Sequence, residues 1–281
     1  MAIDKKQLQS AGIYQANAPL SSILDEVEQI VCFLQEIESE RRKLRKFGGL
    51  FIAGGLVLAI VSGVLNIKAL GFLAFLGFTT GVGLFIYSFV YGRAMHGHQS
   101  RCQLLKDLFK VHQQDADPRS PFSVRLAMKS QPTLVKEEPW ADRKNGKQKF
   151  FQEDYLSIEG ELLDGTVLSE NLTELTRKRS FTNPRGKSKT KTRSRYILAL
   201  KFRYPNDLYK DARPAQQALH EGVRVPPSAN VRDTRVDEKA ITVKSMVKDE
   251  KEIVQTTAMT CLGAYRILNL ARRLAKTGGA R

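Results

Sequence analysis

Two long stretches of this 281-residue chain have no charged residue. Residues 47–67 run for 21 positions and residues 69–91 for 23 without Asp, Glu, Lys or Arg. A helix needs about 20 apolar residues to cross the hydrocarbon core, so each stretch is long enough to span. Neither has the polar stripe of a buried soluble helix. Only Lys68 separates them, beside Asn66, which predicts a hairpin with a very short turn. No ionisable residue lies within either stretch, which argues against a proton relay or a transporter site.

Other absences narrow the function. The three cysteines, Cys32, Cys102 and Cys261, are far apart and odd in number, so they form neither a zinc motif nor a disulfide framework. GxSxG, HExxH and GxGxxG are all missing. Gly186-Lys187-Ser188 ends like a phosphate-binding loop, but the spacing requires glycine at position 181, which is Phe181. His96, His98 and Cys102 lack a carboxylate cluster that would complete a metal site. No catalytic residue, metal or cofactor is expected. The first twenty residues hold no apolar core resembling a signal peptide, so residues 47–67 read as an uncleaved anchor. Acid is also scarce: 29 Asp and Glu stand against 45 Lys and Arg, a formal net charge of +16. Such an excess favours anionic partners.

What is present orients the hairpin. Arg41, Arg42, Lys43, Arg45 and Lys46 precede the first span and Arg93 and Arg101 follow the second, whereas the turn offers Lys68 alone. The positive-inside rule then places both termini in the cytoplasm of a multi-pass protein, with a bacterial inner membrane expected. Gly55, Ala59 and Gly63 recur at helical spacing on the first span, and Gly77 and Gly81 form GxxxG on the second. Small residues let backbones approach closely, so these five are expected to pack helices. Packing within one hairpin is preferred over a subunit interface, although a homo-oligomer stays open.

Heptad seams flank the spans. Ser22 and Asp25 resemble a capping box opening a helix at about residue 23. Ile23, Val27, Ile30, Leu34, Ile37, Arg41 and Leu44 follow on one side, and Met95, His98, Cys102, Leu105, Phe109 and His112 on the other. The expected organisation is a flexible N-terminus at 1–22, stalk helices at 23–46 and 92–113 around spans 47–67 and 69–91, a linker at 114–120, and a basic α+β cytoplasmic domain at 121–281. In that domain, strands are expected over 122–128, 150–163, 166–175, 196–204 and 240–247, with a turn at Asp164-Gly165. Residues 137–149 and 205–235 read as turns and loops, the latter with one short helix near 215–220. A long helix over 251–276 closes the chain before Gly278 and Gly279. The fold class is thus a two-helix membrane hairpin with coiled-coil extensions and a C-terminal α+β domain.

The most unusual segment is 177–195. It holds nine basic residues, Arg177, Lys178, Arg179, Arg185, Lys187, Lys189, Lys191, Arg193 and Arg195, and no acid. From Lys187 to Arg195 basic and hydroxyl residues alternate strictly. In a strand that alternation makes one face cationic and the other hydroxyl. A solvated loop and an anion-binding hairpin account for the run equally well.

The order of helix, two spans, helix and soluble domain over residues 1–110 resembles small two-helix membrane proteins of bacteria, including effector subunits of some antiphage systems. The resemblance is one of topology and transfers no residue. The leading expectation is a membrane-anchored, non-enzymatic adaptor or sensor whose basic domain binds anionic lipid, nucleic acid or an acidic protein. The alternative is a ligand-gated effector that oligomerises through its spans and permeabilises the bilayer.

Overall fold

The computed structural model describes residues 12–128, 130–140, 146–182, 186–205, 207–209, 212–213 and 225–278, and their side chains except at 90–98 and 274–278. The chain forms two compact units, one from residues up to Asp25 and from Leu104 onward, the other from Glu26 to Gln103.

The second unit is a pair of long helices, from α1 (Leu20–Leu65) and α2 (Lys68–His112). Asn66, at a φ of 55°, turns the chain between them. Both helices contain a stretch long and apolar enough to cross a membrane, at a mean hydropathy of 2.2 in α1 and 2.0 in Lys68–Phe89. Apolar side chains along these stretches point outward, as with Val64 at 79% exposure and Ile60 at 68%.

Glycines let the two helices touch. A Cβ at Gly55 would sit 2.8 Å from the Phe78 nitrogen, and one at Gly81 would sit 2.8 Å from the Gly48 carbonyl oxygen and the Ile52 nitrogen. Gly77 lies on the same seam, its Cβ position 3.8 Å from the Gly55 Cα. Ala59 and Gly63, expected on that seam, are not on it: Ala59 is exposed and Gly63 meets nothing within 4 Å. The cause is helical phase. Steps of four residues drift about 40° each around a helix of 3.6 residues per turn. Steps of seven drift only about 20°, so the seam follows Gly48, Gly55 and Ser62 instead. Gly81→Leu should therefore destabilise the protein in mild detergent by roughly 1–3 kcal/mol, because the obstruction is backbone. Gly63→Leu should stay within about 0.5 kcal/mol. Equal thermal midpoints for the two variants would contradict this seam.

Most seam residues flanking the apolar stretches are buried: Ile23, Val27, Ile30 and Leu34 are at most 5% exposed, and Cys102, Leu105, Phe109 and His112 at most 3%, whereas Ile37, Arg41 and Leu44 are half-buried. The side chains of Met95, His96 and His98 lie outside the described residues. Arg41, which interrupts the heptad, donates to the Ser88 carbonyl at 2.9 Å and pairs with Glu38 at 2.7 Å.

The first unit is built on one antiparallel sheet of eight strands: β1 (Ile13–Pro19), β2 (Pro121–Ala127), β3 (Thr133–Pro139), β4 (Lys147–Glu161), β5 (Val167–Thr182), β6 (Ser188–Arg203), β7 (Ala229–Val236) and β8 (Ala240–Val247). Their order is β1-β2-β4-β5-β6-β8-β7, with β3 paired to β4. One face carries Phe122, Val124, Leu126, Ile158, Leu168, Leu172, Leu198, Leu200, Phe202, Ile241 and Val243, all buried. Helix α3 (Ile253–Gly278) packs there against β6 and β8, burying Ala264, Ile267, Leu268 and Ala271. The other face is polar, as expected of an antiparallel sheet covered on one side. Gly160 is small for a packing reason, since a Cβ there would lie 2.3 Å from the Phe122 ring.

Several expectations change. Ile13–Pro19, expected to be flexible, pairs along its whole length with β2. That strand leads directly into α1, which opens at Leu20, ahead of the expected cap at Ser22. Residues 133–139 and 147–149 belong to strands, not to a turn-rich stretch, and 229–236 is an edge strand within the expected loop. Residues 114–120 are tied down by the Ala116–Leu162 bridge and by the Leu163 amide donating to the Asp115 carbonyl at 2.8 Å. The helix expected near 215–220 lies outside the described residues.

Candidate functional site

Beyond Tyr196, β6 loses its β8 neighbour, while β3, β4, β5 and β6 continue side by side. The distal half of the sheet is thus a four-stranded platform. Register determines which side chains share a face, because cross-strand partners point the same way. Arg177 opposes Arg193, Arg179 opposes Lys191, Phe181 opposes Lys189 and Leu175 opposes Arg195. One face therefore carries six cations: Arg177, Arg179, Lys189, Lys191, Arg193 and Arg195. The reverse face pairs Thr182 with Ser188, Ser180 with Thr190, Lys178 with Thr192 and Thr176 with Ser194. Among the nine basic residues singled out from sequence, Lys178 is thus on the opposite face, its ammonium 4.9 Å above the Phe151 ring. Lys187 precedes β6, and Arg185 is outside the described residues.

Like charges placed directly across a ladder are destabilising. Here Arg177 with Arg193 and Arg179 with Lys191 form two such pairs, and among the described residues no carboxylate pairs with any of the six cations. Burial, followed by the charges of Arg179, Arg193 and Arg195, pushes the Arg177 guanidinium below its usual pKa. Like charges brought together with no carboxylate among the described residues to neutralise them mark a candidate for an anionic external partner.

Aromatic rings share this face. Trp140 extends the β3–β4 ladder, its amide donating to the Gly146 carbonyl at 2.9 Å, and so falls in the row of Phe181 and Lys189. The Trp140 and Phe181 rings meet edge to face at 5.5 Å, and the Arg179 guanidinium lies 4.9 Å from the Trp140 ring centre. Phe150 opposes Arg177 two rows further in. Gln148 fixes Arg179, accepting from its Nε at 3.2 Å, and donates to Glu138 at 2.6 Å. Glu138 is itself held by Lys136 at 2.5 Å, which keeps its carboxyl below the usual range. Sequence reasoning credited the basic run with Phe181 alone. Trp140 and Phe150 join it only through the β3–β4–β5 register, which the run itself does not signal.

Two other polar groupings fit a site less well. Glu170, fully buried on β5, lies 2.9 Å from His112 Nε2 and accepts from the Thr257 hydroxyl at 2.9 Å, out of reach of any solute. A concavity of about 890 Å³ beside Asn17, Arg125, Asp154 and Asn171 is lined by neutral polar and apolar residues with one cation and one anion among them. Among the described residues no cluster of His, Cys, Asp and Glu suits a metal ion. Burial pushes the Cys102 thiol up to about 12, away from any reactive or ligating state. The chain matches no protein-family model, no curated protein and no solved structure.

Proposed function

We propose that this protein is a membrane-anchored, non-enzymatic adaptor or sensor, held by the α1–α2 hairpin and binding an anionic partner through the cationic platform face. The observation that supports it is six cations on one face of two neighbouring strands with no carboxylate paired to them among the described residues. The outward apolar side chains of the hairpin favour a lipid surrounding, since soluble monomers rarely expose large contiguous apolar areas. Flanking charge then puts both termini on the cytoplasmic side. Reporter fusions at Arg281 and at Asn66 test that topology, and a C-terminal tag reachable only from outside would refute it.

A second reading draws on a specific feature. On the side away from β5, β6 has no neighbouring strand over residues 188–195 among the described residues, and lysines on open edges deter aggregation. One variant separates the two: Lys187, Lys189, Lys191, Arg193 and Arg195 changed to Ser, in the full chain in uncharged-lipid nanodiscs. Loss of binding to heparin, duplex nucleic acid or anionic vesicles supports the partner-binding reading. Unchanged binding with new aggregation supports edge protection.

A further inference from the structure

We infer that the platform face binds single-stranded nucleic acid, with the phosphate backbone running along β6 and the bases lying over β5 and β4. This rests on the polyanion-binding reading and narrows it to one class.

Shape excludes the duplex grooves first. The major groove is about 12 Å wide and admits a two-stranded ribbon. Strands lie about 4.8 Å apart, so the outer axes of four strands are already about 14 Å apart before side chains are added. Among the described residues the β5–β6 ladder runs past the end of β4 by the Thr182–Ser188 row, too little to enter a groove. A flat platform suits bases already free of a partner.

The columns on the face then separate by chemistry. Lys189, Lys191, Arg193 and Arg195 line up on β6, with alternate residues about 6.7 Å apart, a cationic track of about 20 Å. The inner columns offer Trp140, Phe181, Arg179, Phe150 and Arg177. Bases stack on aromatic rings and on arginine planes alike, so the Arg179–Trp140 stack can be extended by a base. A lipid headgroup would use the cationic column but gives no role to a guanidinium stacked on an indole.

Trp140 is the chain's single tryptophan, so its emission reports on this face alone. The full chain in phosphatidylcholine nanodiscs is titrated with an oligothymidylate of about twenty nucleotides, a duplex of equal length, and phosphatidylglycerol vesicles. The expected result is quenching by the single strand, with affinity at least about tenfold above that for the duplex. Trp140→Ala and Phe181→Ala should each weaken single-strand binding about tenfold. Should either variant misfold, the wild-type quench decides by itself. Equal affinity for single strand and duplex with unmoved emission overturns the inference and leaves the polyanion reading standing. A blue shift with vesicles and no oligonucleotide binding overturns it in favour of lipid. No binding to any of the three overturns both readings.

Discussion

Glu170→Ala is expected to lower the unfolding midpoint by roughly 10 °C. The carboxylate is fully buried on β5, and its two oxygens lie 2.9 Å from His112 Nε2 on α2 and 2.9 Å from the Thr257 hydroxyl on α3. Three elements distant in sequence thus share one buried acceptor. Removing one partner of such a buried pair costs about 3–5 kcal/mol, because the groups left behind are neither paired nor hydrated. For a unit of this size each kcal/mol moves the midpoint by about 2–4 °C. Cys261 senses the same charge: burial first, then Glu170 and Asp115, raise its thiol pKa. The double variant His112→Leu, Glu170→Leu should be less destabilised than the sum of its single variants, since apolar replacement of both partners removes the orphan. Thermal unfolding followed by circular dichroism measures all four variants. A fall below about 2 °C for Glu170→Ala would show that the contact adds no net stability.

That site also shows why parts of the fold were legible and parts were not. Strands that bury one face, such as β2 with Phe122, Val124 and Leu126 or β8 with Ile241, Val243 and Val247, carry the alternation and could be read directly. So could the Asp164-Gly165 turn, where Gly165 takes a φ of 78°. The strands that escaped notice are β1, β3 and β7, which end the sheet or hang off it. Edge strands bury little: β1 buries Tyr14 alone, β7 Val236 alone, and β3 no residue fully. Charge on an edge is favoured because it blocks further pairing, and it erases the apolar signal that reading depends on. Residues 137–149 looked turn-like for this reason. Their charges belong to the ladder, since Glu137 pairs with Lys149 at 3.0 Å across β3 and β4. Alternation in residues 187–195 predicted a cationic and a hydroxyl face, and the strand register separates them in that way. The aromatic half of the platform depended on β3 being a strand, so it was lost with β3. Glu170, a lone acid among leucines 168 and 172, carried the signal that it would be buried, but its partners on α2 and α3 had none.

Binding of a single-stranded oligonucleotide should weaken about fiftyfold between about 50 and about 200 mM salt. Counterion release gives a slope of about −0.7 per phosphate contacted in a plot of log affinity against log salt. The four cations of the β6 track, Lys189, Lys191, Arg193 and Arg195, each engaging one phosphate, give about −2.8, and a fourfold rise in salt raised to that power gives the predicted loss. Changing Lys187, Lys189, Lys191, Arg193 and Arg195 to Ser removes the whole track and leaves only Arg177 and Arg179 in the inner columns, which should reduce the slope to less than about 1 in magnitude. Net charge by itself would also weaken binding, so the comparison needs a variant that removes charge elsewhere. Lys147, Lys149 and Lys178 occupy the same strands but lie on the reverse face, opposite Ser180, Lys178 and Thr192. Changing these three to Ser removes nearby charge without touching the cationic column, so the slope should stay close to the wild-type value. If the reverse-face variant flattens the slope as much per charge removed as the platform variant does, the oligonucleotide is responding to the protein's overall positive field. The ordered column on β6 would then have no role of its own.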